Sequence, residues 1–255
     1  MKKRDIKELL GQTSDSYTRL RNDIKNKKSS RREDNSPVST QDILYKSYAR
    51  FEEIKLPKEK LGELSLKKAL VNRASCRSYK NSPIPLSSLS TILKYSFGIN
   101  ENHRKANGLA LRFYPSAGAR FPLEIYVVVN NVQRIPRGAY HYYLPNHSLE
   151  KLFDNVTFEA KDIIVSPWFE KASCYIVITS IHNRTTAKYG GLGYRFVLNE
   201  AGFAGQNLYL VSQAVNVGCS SASYYDDELE TLLGIDGKNE SIALCFALGI
   251  EEGAL

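Results

Sequence analysis

The sequence holds no hydrophobic run approaching the roughly 20 residues a membrane-spanning helix needs. Its opening MKKRDIKELL is charged where a signal peptide would be apolar, and no lipidation signal is present. The expectation is a soluble, cytoplasmic protein with no membrane partner. Cysteine is sparse: Cys76, Cys174, Cys219 and Cys245 form no C-x-x-C pair, and three of them sit among apolar or small neighbours. That pattern argues against a disulfide framework or a zinc ribbon and suits core thiols in a reducing compartment. The four histidines, His103, His141, His147 and His182, show no H-x-x-x-H spacing and no clustering with cysteine, so no metal is expected. Zinc-finger and RNP signatures are missing too, so the basic charge is not read as a nucleic-acid site.

What is present is an ordinary globular composition: 255 residues, 42% hydrophobic, 24% charged, with a formal net charge of +8. Residues 1–44 are polar, basic and rich in Ser and Asn, with one candidate amphipathic helix around Ile6, Leu9 and Leu10. This reads as a solvated extension. Residues 45–255 are expected to form the folded domain.

Periodicity supplies its elements. QDILYKSYARFEE is expected to be helical, LPKEKL to break that helix, and SLKKALVNRAS to form another. PLSSLSTILKYSFG carries Leu89, Ile92, Leu93 and Phe97 at helical spacing, with Ser87 as expected cap and Gly98 as stop. LEIYVVVN, AYHYYLPN and SLEKLF read as a meander of strands, and ASCYIVITSI as a central strand, apolar on both faces. YRFVLNEAGFAGQNLYLVSQAVNVG reads as a long buried helix ending at Gly218, DDELETLLGI as a short amphipathic helix and SIALCFALGI as a last strand. The sum is an α+β domain: a central, mostly antiparallel sheet wrapped by helices around one long buried helix.

Four segments carry chemistry. Arg73, Ser75 and Arg77 alternate, so an extended backbone aims two guanidiniums and a hydroxyl to one side, a set suited to phosphate or to a solvated turn. Ser116, Ala117 and Gly118 form a small-residue loop that lets a flat ligand approach the backbone. The long helix places Asn199, Glu200, Gln206 and Asn207 among apolar residues, where either a flavin ring or a neighbouring helix would supply hydrogen bonds. CSSASYYDDELETLLGID puts small polar residues and two tyrosines ahead of a helix N-terminus, an arrangement able to cover a planar ligand.

In their order along residues 45 to 250, RASCRSY, YPSAGARFPLEIYVVV, YHYYLPNHSLEKL, KYGGLGYRFVLNEAGFAGQNLYL and YYDDELETLLGID resemble the SagB-type (McbC-like) dehydrogenases of the nitroreductase superfamily. These are flavin-dependent azoline oxidases of thiazole/oxazole-modified peptide biosynthesis. The resemblance implies a homodimeric nitroreductase-like fold with FMN at the subunit interface. It places Arg73, Ser75 and Arg77 at the FMN phosphate, Ser116, Ala117 and Gly118 along the flavin, Gln206 in the buried helix, and Ser223 and Tyr224 over the ring. Phe203 and Ser223 depart from the commoner family residues, a polar or histidine side chain and a glycine. Lys188 and Tyr189 match the Lys-Tyr pair these dehydrogenases carry, implying that one takes a proton from the azoline while hydride leaves to the flavin. Lys188 either favours the Tyr189 phenolate or is itself the base. The implied partners are an azoline-bearing precursor peptide and a cyclodehydratase that handles leader recognition. Two other readings stay open: an NAD(P)H-dependent small-molecule reductase and a flavin-free scaffold subunit.

Overall fold

The computed structural model describes residues 45–48, 50–104, 110–153 and 157–253; the N-terminal extension and its candidate helix lie outside them. In chain order the elements are β1 (Glu53–Lys55), α1 (Leu66–Asn72), α2 (Leu86–Phe97), β2 (Ile99–Arg104), β3 (Ala110–Arg112) and β4 (Leu123–Val129). Then come β5 (Gly138–Tyr143), β6 (Ser148–Lys151), α3 (Ala160–Ile163), β7 (Cys174–Ile181), α4 (Asn183–Tyr189), α5 (Leu192–Ala214), β8 (Gly218–Ser221), α6 (Asp226–Leu233) and β9 (Glu240–Gly249). Seven strands make one sheet in the order β1-β6-β5-β4-β7-β9-β8, with β2 and β3 as a separate pair. Every neighbour in the seven-stranded sheet is antiparallel.

Alternation along the strands divides the core between the two sheet faces. Ile125, Val127, Ile176 and Ile178 pack under α2 and α5 with Leu89, Ile92, Phe97, Val197, Ala204 and Leu208. Tyr126, Val128, Tyr175 and Val177 face the other way, toward Phe158, Phe169 and the α6 residues Leu229 and Leu233. Strand β7 is buried along Cys174–Ser180, as its two-sided apolarity predicts, and all four cysteines are buried thiols. Among the described residues no helix is long and apolar enough to cross a membrane.

Four expectations need correction. The QDILYKSYARFEE segment is not helical where described: residues 45–48 are extended and Glu53–Lys55 pairs with β6. Buried partners override its periodicity, because Lys46 bonds Glu240 and Tyr126, while Ser47 and the Tyr48 N–H bond Glu150. Ser87 does not cap α2; Pro85 holds that position without a side-chain bond, and the Ser87 carbonyl accepts from Thr91. Helix α5 ends at Ala214, before Gly218, because Asn216 adopts the left-handed conformation (φ 53°) and the Val215 and Val217 N–H groups close on the Ser212 carbonyl. Nor is α5 buried all round: Tyr194, Leu198 and Phe203 are 42%, 44% and 49% exposed, so the helix packs on one sheet face and leaves a second apolar face outward.

A buried polar network anchors α4. His141 on β5 donates to Glu150 on β6 (2.8 Å) and to Glu124 on β4 (3.0 Å), and Arg184 of α4 closes an ion pair with Glu124. Burial alone would push the His141 pKa down, but the two carboxylates outweigh it and hold the imidazole above its ordinary value. Burial likewise opposes ionisation of Glu124 and Glu150, and their bonds to His141, with Arg184 at Glu124, keep both pKa values below the usual carboxylate range.

Candidate functional site

Arg184 sits one helical turn before Lys188, so the network that fixes Arg184 also fixes the end of α4 that carries Lys188 and Tyr189. The glycines between α4 and α5 let the chain fold back. A Cβ on Gly193 would stand 2.8 Å from the Thr186 Cα, so α5 approaches α4 closely only because that position is glycine. Phe196, on the first turns of α5, then packs edge-on against Tyr189 with centroids 5.0 Å apart.

The opposite side of Tyr189 meets the Ser116–Gly118 loop. Gly118 has φ +62°, and a Cβ there would lie 2.5 Å from the Tyr189 hydroxyl and 3.6 Å from the Lys188 ammonium. The loop is held open by the Phe121 N–H, which donates to the Ser116 hydroxyl at 2.8 Å. Lys188 is exposed and Tyr189 half-buried, and the Lys188 ammonium lies 5.7 Å from the Tyr189 ring centroid. Two segments singled out separately in the sequence thus form one surface: an ammonium and a phenol beside a small-residue loop.

Beneath this loop lies Glu200 of α5, 2% exposed, with the Ser116 hydroxyl and Ala117 N–H close by but, among the described residues, no well-aligned hydrogen bond to either carboxyl oxygen. Burial pushes its pKa up to about 8, against the weaker pull of the Ser116 hydroxyl, the Arg112 guanidinium and the Ala117 N–H.

A second cluster forms farther along α5. The Arg73 guanidinium stacks over the Tyr209 ring at 5.4 Å, the Ser75 hydroxyl lies 3.4 Å from the Tyr209 hydroxyl, and the Ser221 N–H donates to that hydroxyl at 2.9 Å. Cys76 is buried while Arg77 is exposed, and Ala74 is exposed as well, so burial along this segment does not strictly alternate. Nine residues separate Glu200 from Tyr209, about 14 Å along the helix axis at 1.5 Å per residue.

The remaining predicted residues are not gathered in. Gln206 and Asn199 are exposed rather than buried, and Asn207 donates to the Phe113 carbonyl at 3.2 Å, so the helix amides do not form one buried set. Ser223 is exposed; its carbonyl accepts from the Val165 N–H at 3.0 Å, and Tyr224 bridges to Ile164, with burial pushing its phenol up to about 12. Tyr209, Phe196 and Arg112 belong to the site surroundings and were not singled out in the sequence. Only Tyr209 carries a readable signal, a polar-tipped aromatic in an apolar helix.

The donor chemistry fits a phosphate-bearing flat cofactor. Guanidinium and hydroxyl groups stand at one end of α5, and a loop with a left-handed glycine beside an ionisable pair stands at the other.

A family model described as the nitroreductase family matches residues 70–250. A protein of Methanocaldococcus jannaschii bearing a nitroreductase name is 34% identical over 186 residues, 72% of this chain and 90% of that one. Among solved structures, a nitroreductase-named protein of Anabaena variabilis superposes with a TM-score of 0.67 at 23% identity over 82% of this chain, which spans only 44% of that protein. A chain of the E. coli microcin synthetase McbBCD complex, solved with truncated pro-MccB17 bound, gives a TM-score of 0.56 at 19% identity, covering 76% of each chain. A Desulfovibrio desulfuricans structure in complex with FMN gives 0.50 at 16% identity, covering 76% of this chain and 92% of that one. These structural likenesses place the fold.

Proposed function

We propose that this chain, which belongs to the nitroreductase family, is an FMN-dependent dehydrogenase that oxidises thiazoline or oxazoline rings in a ribosomally made peptide to thiazole or oxazole. The observation that carries this reading within the oxidoreductase family is the seating of Lys188 and Tyr189 against the Ser116–Gly118 loop. An ordinary reductase that only passes hydride from nicotinamide to an acceptor has no need of a base there. The fold shared with a chain of a peptide-bound synthetase supports a peptide substrate.

FMN, when bound, would supply the hydride acceptor. Arg73, Ser75 and Arg77 would hold its phosphate, with bidentate guanidinium donors suited to that group. Ser116, Ala117 and Gly118 would line the ring; Gln206, Ser223 and Tyr224, which one chain does not bring to this loop, would contribute only from a second copy of the chain. Tyr189 or Lys188 takes the proton from the ring carbon next to the carbonyl, and the aromaticity of the product favours the forward direction. Phe196 backs Tyr189 and keeps water from that side. The outward apolar face of α5, with Tyr194, Leu198 and Phe203, fits a second copy of the chain, which would cover the exposed Gln206. A cyclodehydratase that makes the azoline is the expected working partner.

The deciding experiment is an anaerobic absorption spectrum of the purified full chain, titrated with an azoline-bearing peptide and, separately, with NADPH. Bleaching of the flavin band by peptide supports the proposal. Bleaching by NADPH alone moves the assignment to a small-molecule reductase, and failure to bind added FMN moves it to a scaffold.

Gly118 gives a second test. Gly118→Ala places a Cβ 2.5 Å from the Tyr189 hydroxyl in a left-handed conformation that costs an L-residue about 1–2 kcal/mol. Turnover is expected to fall on the order of a hundredfold, as for a displacement of about 1 Å at a reacting group. Thermal stability should fall by only a few degrees, read in a melt beside the peptide assay.

A further inference from the structure

We infer that Glu200 is a positioning residue of this site: its neutral carboxyl, buried under the Ser116–Gly118 loop, holds that loop and the Tyr189 side chain in register, and its ionisation releases them. The inference rests on the reading that Tyr189 works beside this loop.

Two facts make the carboxyl unusual. It is 2% exposed, and among the described residues its oxygens meet no well-aligned donor, only the Ser116 hydroxyl and Ala117 N–H close by, so that ionising it carries a large desolvation penalty. A protonated carboxyl can both donate and accept, and the polar groups acting on it from the loop are the Ser116 hydroxyl and the Ala117 N–H. Its place on α5 links it to Tyr189 by a second route. Phe196 and Glu200 are four residues apart on one helix face, so α5 supports the phenol directly through Phe196 and indirectly through the loop whose Gly118 meets the hydroxyl.

The groups around Glu200 leave it as the one expected to change charge near neutral to mildly alkaline pH. From β3 the Arg112 guanidinium faces it. Tyr114, which feels Glu200, Arg112, Glu124 and Arg184, is buried and its phenol is pushed well above the ordinary value. Glu124 stays ionised against Arg184 and His141, and the α5 neighbours Val197, Ala201 and Ala204 are apolar. A carboxyl whose folded pKa lies above its unfolded one stabilises the fold below about pH 4.5, and that contribution is lost as pH rises through about 8.

The test uses the full chain and a probe independent of turnover. 4-Fluorophenylalanine is placed at position 189, and its fluorine shift is followed from pH 6 to pH 9 in the wild-type background, in Glu200→Gln, which cannot ionise, and in Glu200→Leu. A shift that titrates with a midpoint near 8 and disappears in Glu200→Gln is expected. Azoline oxidation, assayed in unlabelled chains that keep Tyr189, should lose its alkaline limb in Glu200→Gln while keeping its rate near neutrality within a few-fold. Glu200→Leu should lose on the order of tenfold or more with FMN retained. An unchanged titration in Glu200→Gln, or wild-type turnover in Glu200→Leu, overturns the inference. A titrating fluorine signal, together with no azoline oxidation by the chain that keeps Tyr189, leaves the inference standing and removes the proposed reaction instead.

Discussion

Tyr189→Phe is expected to lower the proposed azoline oxidation about 10²–10⁴-fold in turnover with FMN binding retained, the range that removing a positioned acid–base group produces. The substitution keeps the ring that packs at 5.0 Å on Phe196 and removes only the oxygen set against Gly118, so the fold should be undisturbed. Lys188→Ala then separates the two roles. If Lys188 acts only through Tyr189, Lys188→Ala in the Tyr189→Phe background costs nothing further. If Lys188 is the base, Lys188→Ala is the more damaging single variant and a small exogenous amine restores part of its rate. Wild-type turnover in both variants would take the pair out of the reaction. Flavin absorbance and circular dichroism on the same samples show that cofactor and fold survive.

The second large effect concerns stability. Glu124→Ala removes the carboxylate shared by His141 and Arg184, which are 0% and 7% exposed, and leaves both cations without it. Breaking a buried charge network in this way costs about 3–5 kcal/mol. For a domain of this size that is a fall of roughly 6–20 °C in melting temperature. The pH dependence carries the signature. Stability from the raised His141 pKa is full below about 6.5 and is lost as pH rises through its folded value. Stability from the lowered Glu124 and Glu150 pKa values is full above about 4.5 and is lost as pH falls through theirs. The network therefore contributes most between about pH 4.5 and 6.5, and the melting-temperature difference between wild type and Glu124→Ala should peak there. A flat difference would mean that the charges are not coupled as described. Because Arg184 roots α4, the variant should also loosen Lys188 and Tyr189 and lower turnover beyond what the melt alone explains.

Both effects connect to what the sequence displays. The strands announce themselves because their periodicity is local: Leu123–Val129 and Cys174–Ile181 are apolar on both sides, and central strands are buried on both sides. Helix α2 is legible for the same reason, through Leu89, Ile92, Leu93 and Phe97. The segment from Tyr45 to Glu53 misleads because its apolar spacing suits a helix, while its structure is set by Lys46, Ser47 and Tyr48 meeting Glu240, Glu150 and Tyr126, up to 194 residues away in the chain. The end of α5 misleads because Asn216, not the more conspicuous Gly218, takes the left-handed stop.

The site divides along the same line. Sequence alone determined the residue types and their local pattern: alternating Arg73, Ser75 and Arg77, the small loop at Ser116–Gly118, and an adjacent lysine and tyrosine at the mouth of a long helix. It also determined the antiparallel α+β architecture, since alternation and helical spacing are properties of neighbouring residues. Tertiary structure alone decided that Gly118 meets the Tyr189 hydroxyl, that Tyr209 joins Arg73 to Ser75, and that Glu200 lies buried beneath the loop while Gln206 faces outward. The physical reason is that these are contacts between segments distant in the chain. Burial and desolvation, which give Glu200 its unusual state, are properties of the packed environment and not of the residue itself.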